Sequence, residues 1–138
     1  MQVPRVKIDD PIKNYCFACG KENTIGLKLQ FTRDGEIAKA EFIPGQLHQG
    51  WPGLTHGGIL FTLLDEASGY AIRYAGLKCV TAKSEVRFTQ MAPIGEVIQL
   101  AGRITNNNPR LVETEATLAL KDGTIIARST SIWYVVKE

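Results

Sequence analysis

The stretch from His56 to Gly76, His-Gly-Gly-Ile-Leu-Phe-Thr-Leu-Leu-Asp-Glu-Ala-Ser-Gly-Tyr-Ala-Ile-Arg-Tyr-Ala-Gly, is the only segment of this chain long and apolar enough for a central buried helix. At roughly 100° per residue, Leu60, Leu63, Leu64, Ala67, Ala71 and Ala75 fall on one stripe, the expected core face. Gly57 and Gly58 let backbone approach a bound group, and the first-turn N–H groups point outward at the positive end of the dipole. Gly76 is expected to cap the far end. Asp65 lies off the core stripe, beside Gly58, Phe61, Thr62, Gly69 and Ile72. That surface mixes small residues with large apolar ones, so it calls for a cover, and a second subunit is the simplest. A carboxylate there is partly desolvated, which raises its pKa and poises it as a general base; the helix alone also allows an ordinary solvated Asp. Glu66 sits about 100° further round, nearer Tyr70 and Arg73, and is expected to be structural.

Outward from the helix the chain reads as strand and turn. Before it, Leu27 to Thr32 and Glu36 to Ile43 form two strand-like segments joined by Arg33-Asp34-Gly35, a strong hairpin signal. A Gly- and Pro-rich loop from Pro44 to Thr55, carrying His48 and Trp51, leads into the helix. After it, Lys78 to Gln90 alternates, with Val80, Ala82, Ser84, Val86 and Phe88 on one face and Thr81, Lys83, Glu85, Arg87 and Thr89 on the other. Glu96 to Thr105, Arg110 to Leu120 and Thr124 to Val136 complete four long strands, the last two joined around Lys121-Asp122-Gly123. No parallel strand-helix-strand rhythm and no repeat is visible. The expected class is α+β, one antiparallel sheet wrapped around one helix.

Length and charge narrow the function. The 138 residues make one domain, 1–138, in which residues 1–26, with Pro4 and Pro11, form an irregular lead-in. A net charge of +2 without any Lys/Arg run gives no footprint for nucleic acid. Asp65, Glu66 and Arg73 interrupt the longest apolar stretch and the N-terminus lacks a signal-peptide core, so the expected protein is cytoplasmic and makes no membrane contact. The odd count of three cysteines argues against a disulfide framework. Cys16-Phe-Ala-Cys19 is half a zinc site or a redox pair; without a second Cys or His pair at zinc spacing, the expectation is that these thiols hold no essential metal.

His56-Gly57-Gly58 followed by Leu64-Asp65-Glu66-Ala67, with the Asp nine positions after the His, resembles the hotdog-fold thioesterases of the phenylacetate-pathway type (PaaI-like, in the 4-hydroxybenzoyl-CoA thioesterase superfamily). The likeness extends over Cys16-Phe-Ala-Cys-Gly, the His48-Gln-Gly-Trp-Pro-Gly loop, and Phe88 through Pro93 to Glu96. It implies a hotdog fold, a homodimer assembling to a homotetramer, active sites at the dimer interface, hydrolysis of acyl-CoA thioesters, and no cofactor. Carried over residue by residue, Gly57 offers its backbone N–H to the thioester carbonyl, Asp65 activates water or attacks directly, and His56 shapes the loop or touches the thioester. Gly58, His48, Gln49, Thr81 and Lys83 are implied substrate-binding positions. Some relatives place an Asn six residues before the His; that position is Gly50 here, which makes Gln49 or His48 the candidate second carbonyl donor. A strand hydroxyl that orients the water falls near Lys83, with Thr81 preferred because alternation puts it on the same face. Arg87, Arg103, Arg110 and Arg128 are candidates for the CoA phosphates, and Trp51, Phe61 and Tyr70 for narrowing the acyl tunnel.

Two other hotdog activities compete. A dehydratase acting on acyl-carrier-protein substrates would carry a His-x-x-Gly-x-Pro-x-x-Pro-Gly pattern, whereas His48 is followed by Gln-Gly-Trp-Pro-Gly-Leu-Thr. A non-catalytic acyl-CoA sensor would carry a DNA-binding module, for which the Pro-interrupted lead-in is too short.

Overall fold

The computed structural model describes residues 14–136. Half of the expected lead-in, residues 1–13, therefore lies outside the described residues. In chain order the elements are β1 (Thr32–Asp34), β2 (Ile37–Phe42), α1 (Gly57–Tyr74), β3 (Cys79–Phe88), β4 (Ile98–Asn107), β5 (Leu111–Leu120) and β6 (Ile125–Val135), with a 3-10 turn at Gln46–His48 before the helix. The strands form one antiparallel sheet in the order β1-β2-β4-β5-β6-β3. It curls around α1, the hotdog arrangement.

The sheet can wrap the helix closely because its inner face alternates large and small residues. Leu100 and Leu118 fill the space beneath Leu63 and Leu64, whereas Gly102 lies so near the helix that an added Cβ would stand 2.4 Å from the Ala67 carbonyl oxygen. Close backbone approach requires glycine at that position. Leu60, Leu63, Leu64, Ala67, Ser68, Ala71 and Ile72 form the buried helix face.

Two parts of the expected stripe pattern change. Ala75 is exposed as the C-cap, ahead of Gly76 at φ +77°. Ile72, assigned above to the surface awaiting a partner, is covered within the chain by Val112 and Trp133. The sheet extends far enough along the helix to take it in, leaving Phe61, which is exposed, as the large apolar residue on that surface.

The first strand also shifts. Residues 27–31 do not join the sheet: Leu27 and Leu29 donate their N–H groups to the carbonyls of Phe17 and Ala18, at 2.8 and 2.9 Å, and bury their side chains. Their backbone groups are satisfied by the lead-in, so pairing with β2 begins only at Thr32.

Candidate active site

The helix start is built by two histidines acting through their acceptors. His48 Nδ1 accepts from Gly45 N–H at 2.9 Å, closing the 3-10 turn, and the His48 carbonyl accepts from His56 N–H at 2.9 Å. His56 is the N-cap: its Nδ1 accepts from Gly58 N–H at 2.8 Å, and its carbonyl accepts from Ile59 N–H at 3.0 Å. With Leu60 N–H also donating to the His56 carbonyl, at 3.1 Å, three of the first four N–H groups of the helix are taken, and that of Gly57 alone among these four has no partner among the described residues. An accepting Nδ1 places the proton of a neutral imidazole on Nε2, leaving that edge of His56 as a donor.

The exposed Gly57 backbone lies in a cleft of about 970 Å³ lined by Gly50, Trp51, His56, Leu60, Phe88 and Met91, among others. Trp51, Phe88 and Met91 are themselves exposed, which leaves a wide apolar rim. Gln49 is occupied in the loop: its Oε1 accepts from Gly53 N–H at 2.6 Å and its Nε2 donates to the Gln46 carbonyl at 2.9 Å. At Gly50 an added Cβ would meet His56 Cα at 3.3 Å, so a larger residue here would press on the cap.

Asp65 lies two turns further along α1, roughly 12 Å from Gly57 at 1.5 Å per residue. Thr81 Oγ1 donates to Asp65 Oδ1 at 2.8 Å. Burial raises the Asp65 pKa above its ordinary 3.8, and the Thr81 hydroxyl opposes that shift in part by favouring the charged form.

Thr81 reaches Asp65 because it stands opposite inward-facing Trp133, next to an irregularity in strand β3. Thr81 pairs with Trp133 and Lys83 with Ile132, so Ala82 is an extra residue in the ladder. Trp133 belongs to the inner face with Ser131, Ser129 and Ala127, whose partners are Ser84, Val86 and Phe88. Thr81 therefore points inward, and Lys83 outward with Glu85 and Arg87. The expectation that Thr81 and Lys83 share a face is corrected: alternation holds on each side of the bulge and changes sign across it.

The other carboxylate of the pair faces elsewhere. Both oxygens of Glu66 stand 4.0 Å from Cys16 Sγ, and burial raises its pKa above 4.5. Cys16, Cys19 and Glu66 form a cluster whose donor atoms all lie within 4.8 Å of one another. The sequence pointed to the two thiols but not to their meeting with a helix residue far along the chain.

Of the arginines considered for phosphate, Arg87 and Arg128 stand directly opposite each other across β3 and β6, both exposed. Arg103 is paired with Glu115 at 2.8 Å. Arg110 lies in the turn before β5, where its N–H donates to Asn108 Oδ1. Tyr70 stacks on Phe31, with ring centroids 4.3 Å apart.

A helix N-terminus with a free donor, facing an apolar-rimmed cleft and accompanied by a desolvated carboxylate, defines a class of protein that agrees with a family match. Residues 52–127 match the model of the Thioesterase superfamily, and the chain belongs to that family. Among curated proteins it is similar to the acyl-coenzyme A thioesterase THEM4 of Xenopus laevis, 26% identical over 94 residues, covering 68% of this chain and 42% of that protein. The chain thus spans less than half the length of that relative. Among solved structures, the PaaI protein of the E. coli phenylacetic acid degradation operon superposes with a TM-score of 0.75 at 17% identity, covering 80% of this chain and 81% of that one. A Streptococcus mutans protein solved with acetyl-CoA bound gives 0.75 at 19% identity, with 80% and 90% covered. These likenesses show the same fold. No helix among the described residues is long and apolar enough to cross a membrane.

Proposed function

We propose that the protein is an acyl-CoA thioesterase whose active sites are shared between two copies of the chain. The observation that carries this reading is the unpaired Gly57 N–H at the cap of α1, together with Asp65 held by Thr81 on the same helix but too far away to act on the same carbonyl. One thioester cannot span roughly 12 Å between its oxygen and the attacked face. A partner related by a two-fold axis brings its own Asp65 to the first subunit's Gly57, and the symmetry supplies two such sites. Strand β3 offers a long edge for this assembly: among the described residues it pairs on one side only, with β6. The exposed Phe61, Phe88 and Met91 are the apolar surface that such a partner would cover. The acetyl-CoA found in the Streptococcus mutans relative is consistent with a ligand of this class.

In the reaction, the thioester carbonyl oxygen accepts from Gly57 N–H, supported by the helix dipole. Asp65 of the other subunit takes a proton from water as the water oxygen bonds to the carbonyl carbon. The oxyanion then collapses, the C–S bond breaks, and the thiolate of CoA leaves and is protonated. Direct attack by Asp65 would instead give a mixed anhydride that water opens. A single turnover in ¹⁸O-water tests the second route, because water that opens the anhydride at the aspartyl carbon leaves label in the Asp65 carboxylate, which the first route never does. Arg87 and Arg128 are like charges directly opposite across strands, an arrangement that an anionic group relieves, and they are assigned to the CoA phosphates. The protein acts without a cofactor and in the cytoplasm.

Mixing two inactive variants tests the shared site. Asp65→Asn removes the base, and Gly57→Pro removes the donor at a helix position that proline tolerates, since His56 already has φ −61° and ψ 135°. Refolded together, they should regain activity up to about a quarter of wild type under random pairing into two-fold dimers. If both fold and mixed dimers form but thiol release does not return, the reading fails.

A further inference from the structure

We infer that Cys16, Cys19 and Glu66 form a structural site for a thiophilic divalent cation, zinc being the best match, that fastens the lead-in segment to the central helix. Two thiols and a carboxylate converge from a loop and from α1 with their donor atoms mutually within 4.8 Å. Tetrahedral zinc with Zn–S near 2.3 Å and Zn–O near 2.0 Å would bring neighbouring donors to about 3.5–3.8 Å apart. The 4.0 Å separations of Glu66 from Cys16 Sγ are therefore within a small side-chain adjustment of coordination.

The loop is shaped to hold sulfur. Cys19 N–H donates to Cys16 Sγ at 3.4 Å, and Gly20 N–H donates to the Cys16 carbonyl at 2.8 Å, closing the Cys-x-x-Cys-Gly turn. A Cβ at Gly20 would stand 2.5 Å from Cys16 N and from the Asn14 carbonyl oxygen, so the turn admits only glycine. Burial pushes the pKa of the Cys19 thiol up to about 12 in the metal-free chain, and the Tyr70 hydroxyl, which contacts this sulfur and can donate to it, opposes that shift in part. Two thiolates, one carboxylate and a divalent cation carry a net charge of −1. Arg73 supplies the balance: it interacts with Glu66, and its guanidinium lies 4.8 Å over the Tyr70 ring. Binding displaces the two thiol protons, and any proton on Glu66, to solvent. Zinc follows from soft sulfur donors in a four-coordinate set, in which these residues supply three positions.

The chain-spacing expectation that these cysteines hold no metal considered only Cys and His pairs in the sequence. The third ligand is a carboxylate brought by the helix. This inference is independent of the thioesterase reading, and its test measures metal rather than turnover.

The metal-stripped full chain, kept reduced with a non-thiol reductant, would be titrated with Co²⁺ and, separately, Zn²⁺. The expected result is one Co²⁺ per chain with the thiolate-to-cobalt charge-transfer band, displaced by one Zn²⁺, and a rise in Tm on loading. Cys16→Ser and Cys19→Ser should each weaken the charge-transfer signal and lose stoichiometric binding, whereas Cys79→Ser should change neither. Tyr70→Phe should bind about tenfold more weakly while keeping the spectrum. Folding of each variant would be checked by circular dichroism, and the wild-type titration stands whatever the variants do. Absence of cobalt–thiolate absorption from the reduced, folded wild-type chain overturns the inference. So does a spectrum unchanged in folded Cys16→Ser.

Discussion

Asp65 and Glu66 are neighbours in sequence, both half-buried, and both have pKa values raised chiefly by desolvation. Burial alone therefore does not tell their roles apart; their partners do. Asp65 meets one neutral hydroxyl, from Thr81 on the edge strand, at 2.8 Å, an arrangement that orients a carboxylate while leaving its second oxygen available. Glu66 faces two thiols from the lead-in and the charge of Arg73, an arrangement suited to holding segments together. On the reading proposed here, a rotation of about 100° between successive helix residues separates a reactive group from a structural one.

The largest expected break in this comparison is Asp65→Asn, which should lower kcat/KM at least a thousandfold, about 4 kcal/mol of barrier. Turnover within tenfold of wild type would remove Asp65 from the chemistry. The same variant carries a stability signature. A carboxyl whose folded pKa lies above its ordinary 3.8 contributes stability that is present below that value and lost as pH rises through the folded pKa. Relative to wild type, Asp65→Asn should therefore melt higher at neutral pH, with the difference vanishing towards pH 3, as thermal scans across pH would show.

Thr81→Val comes next, with an expected loss of about tenfold in kcat, or roughly 1.4 kcal/mol. Since the Thr81 hydroxyl lowers the Asp65 pKa, its removal should also move the acid limb of the kcat/KM profile to higher pH, and Thr81→Ser should move it back. A limb that stays in place would mean that Thr81 only packs.

Glu66→Gln should change kcat no more than a few-fold, because Glu66 does not face the carbonyl site. A loss as large as that of Asp65→Asn would erase the distinction between the two acids. Arg87→Ala and Arg128→Ala should raise KM several-fold with kcat unchanged, more so at low salt, since both are exposed charges. The smallest effect belongs to Lys83→Ala, within twofold in kcat, because Lys83 stands on the outer face of the sheet.

Much of the architecture was legible because it rests on local chemistry. The apolar period of the helix, the Asp34-Gly35 and Asp122-Gly123 turns and the long alternating runs each specify their element without tertiary knowledge. Leu27 and Leu29 were misread as sheet because a strand pattern does not say which backbone will pair with it; here the lead-in takes the hydrogen bonds. Ile72 was assigned to an outer surface because helical periodicity gives direction but not how far the sheet extends. Within the proposed site, His56-Gly57-Gly58 and Asp65 are candidates that spacing alone singles out. The Cys16–Cys19–Glu66 cluster could not, since its members are joined only by the packing of the lead-in on the helix. Thr81 was the preferred orienting hydroxyl, but the grounds given for it, a shared face with Lys83, fail at Ala82.

That single inserted residue gives strand β3 two reading frames. Up to Thr81 the odd-numbered residues look inward; from Lys83 onward the even-numbered ones do. Removing Ala82 would shorten the strand by one residue and put it back in one frame. Thr81 would then be followed directly by Lys83, opposite Trp133 and Ile132, so Thr81 would keep facing Asp65 and Ser84 and Val86 would keep the inner face; what the deletion removes is the extra local twist that a bulge gives a strand. A designer grafting this site onto another sheet could therefore use a regular strand, provided that the threonine stands opposite an inward-facing residue as Thr81 does opposite Trp133.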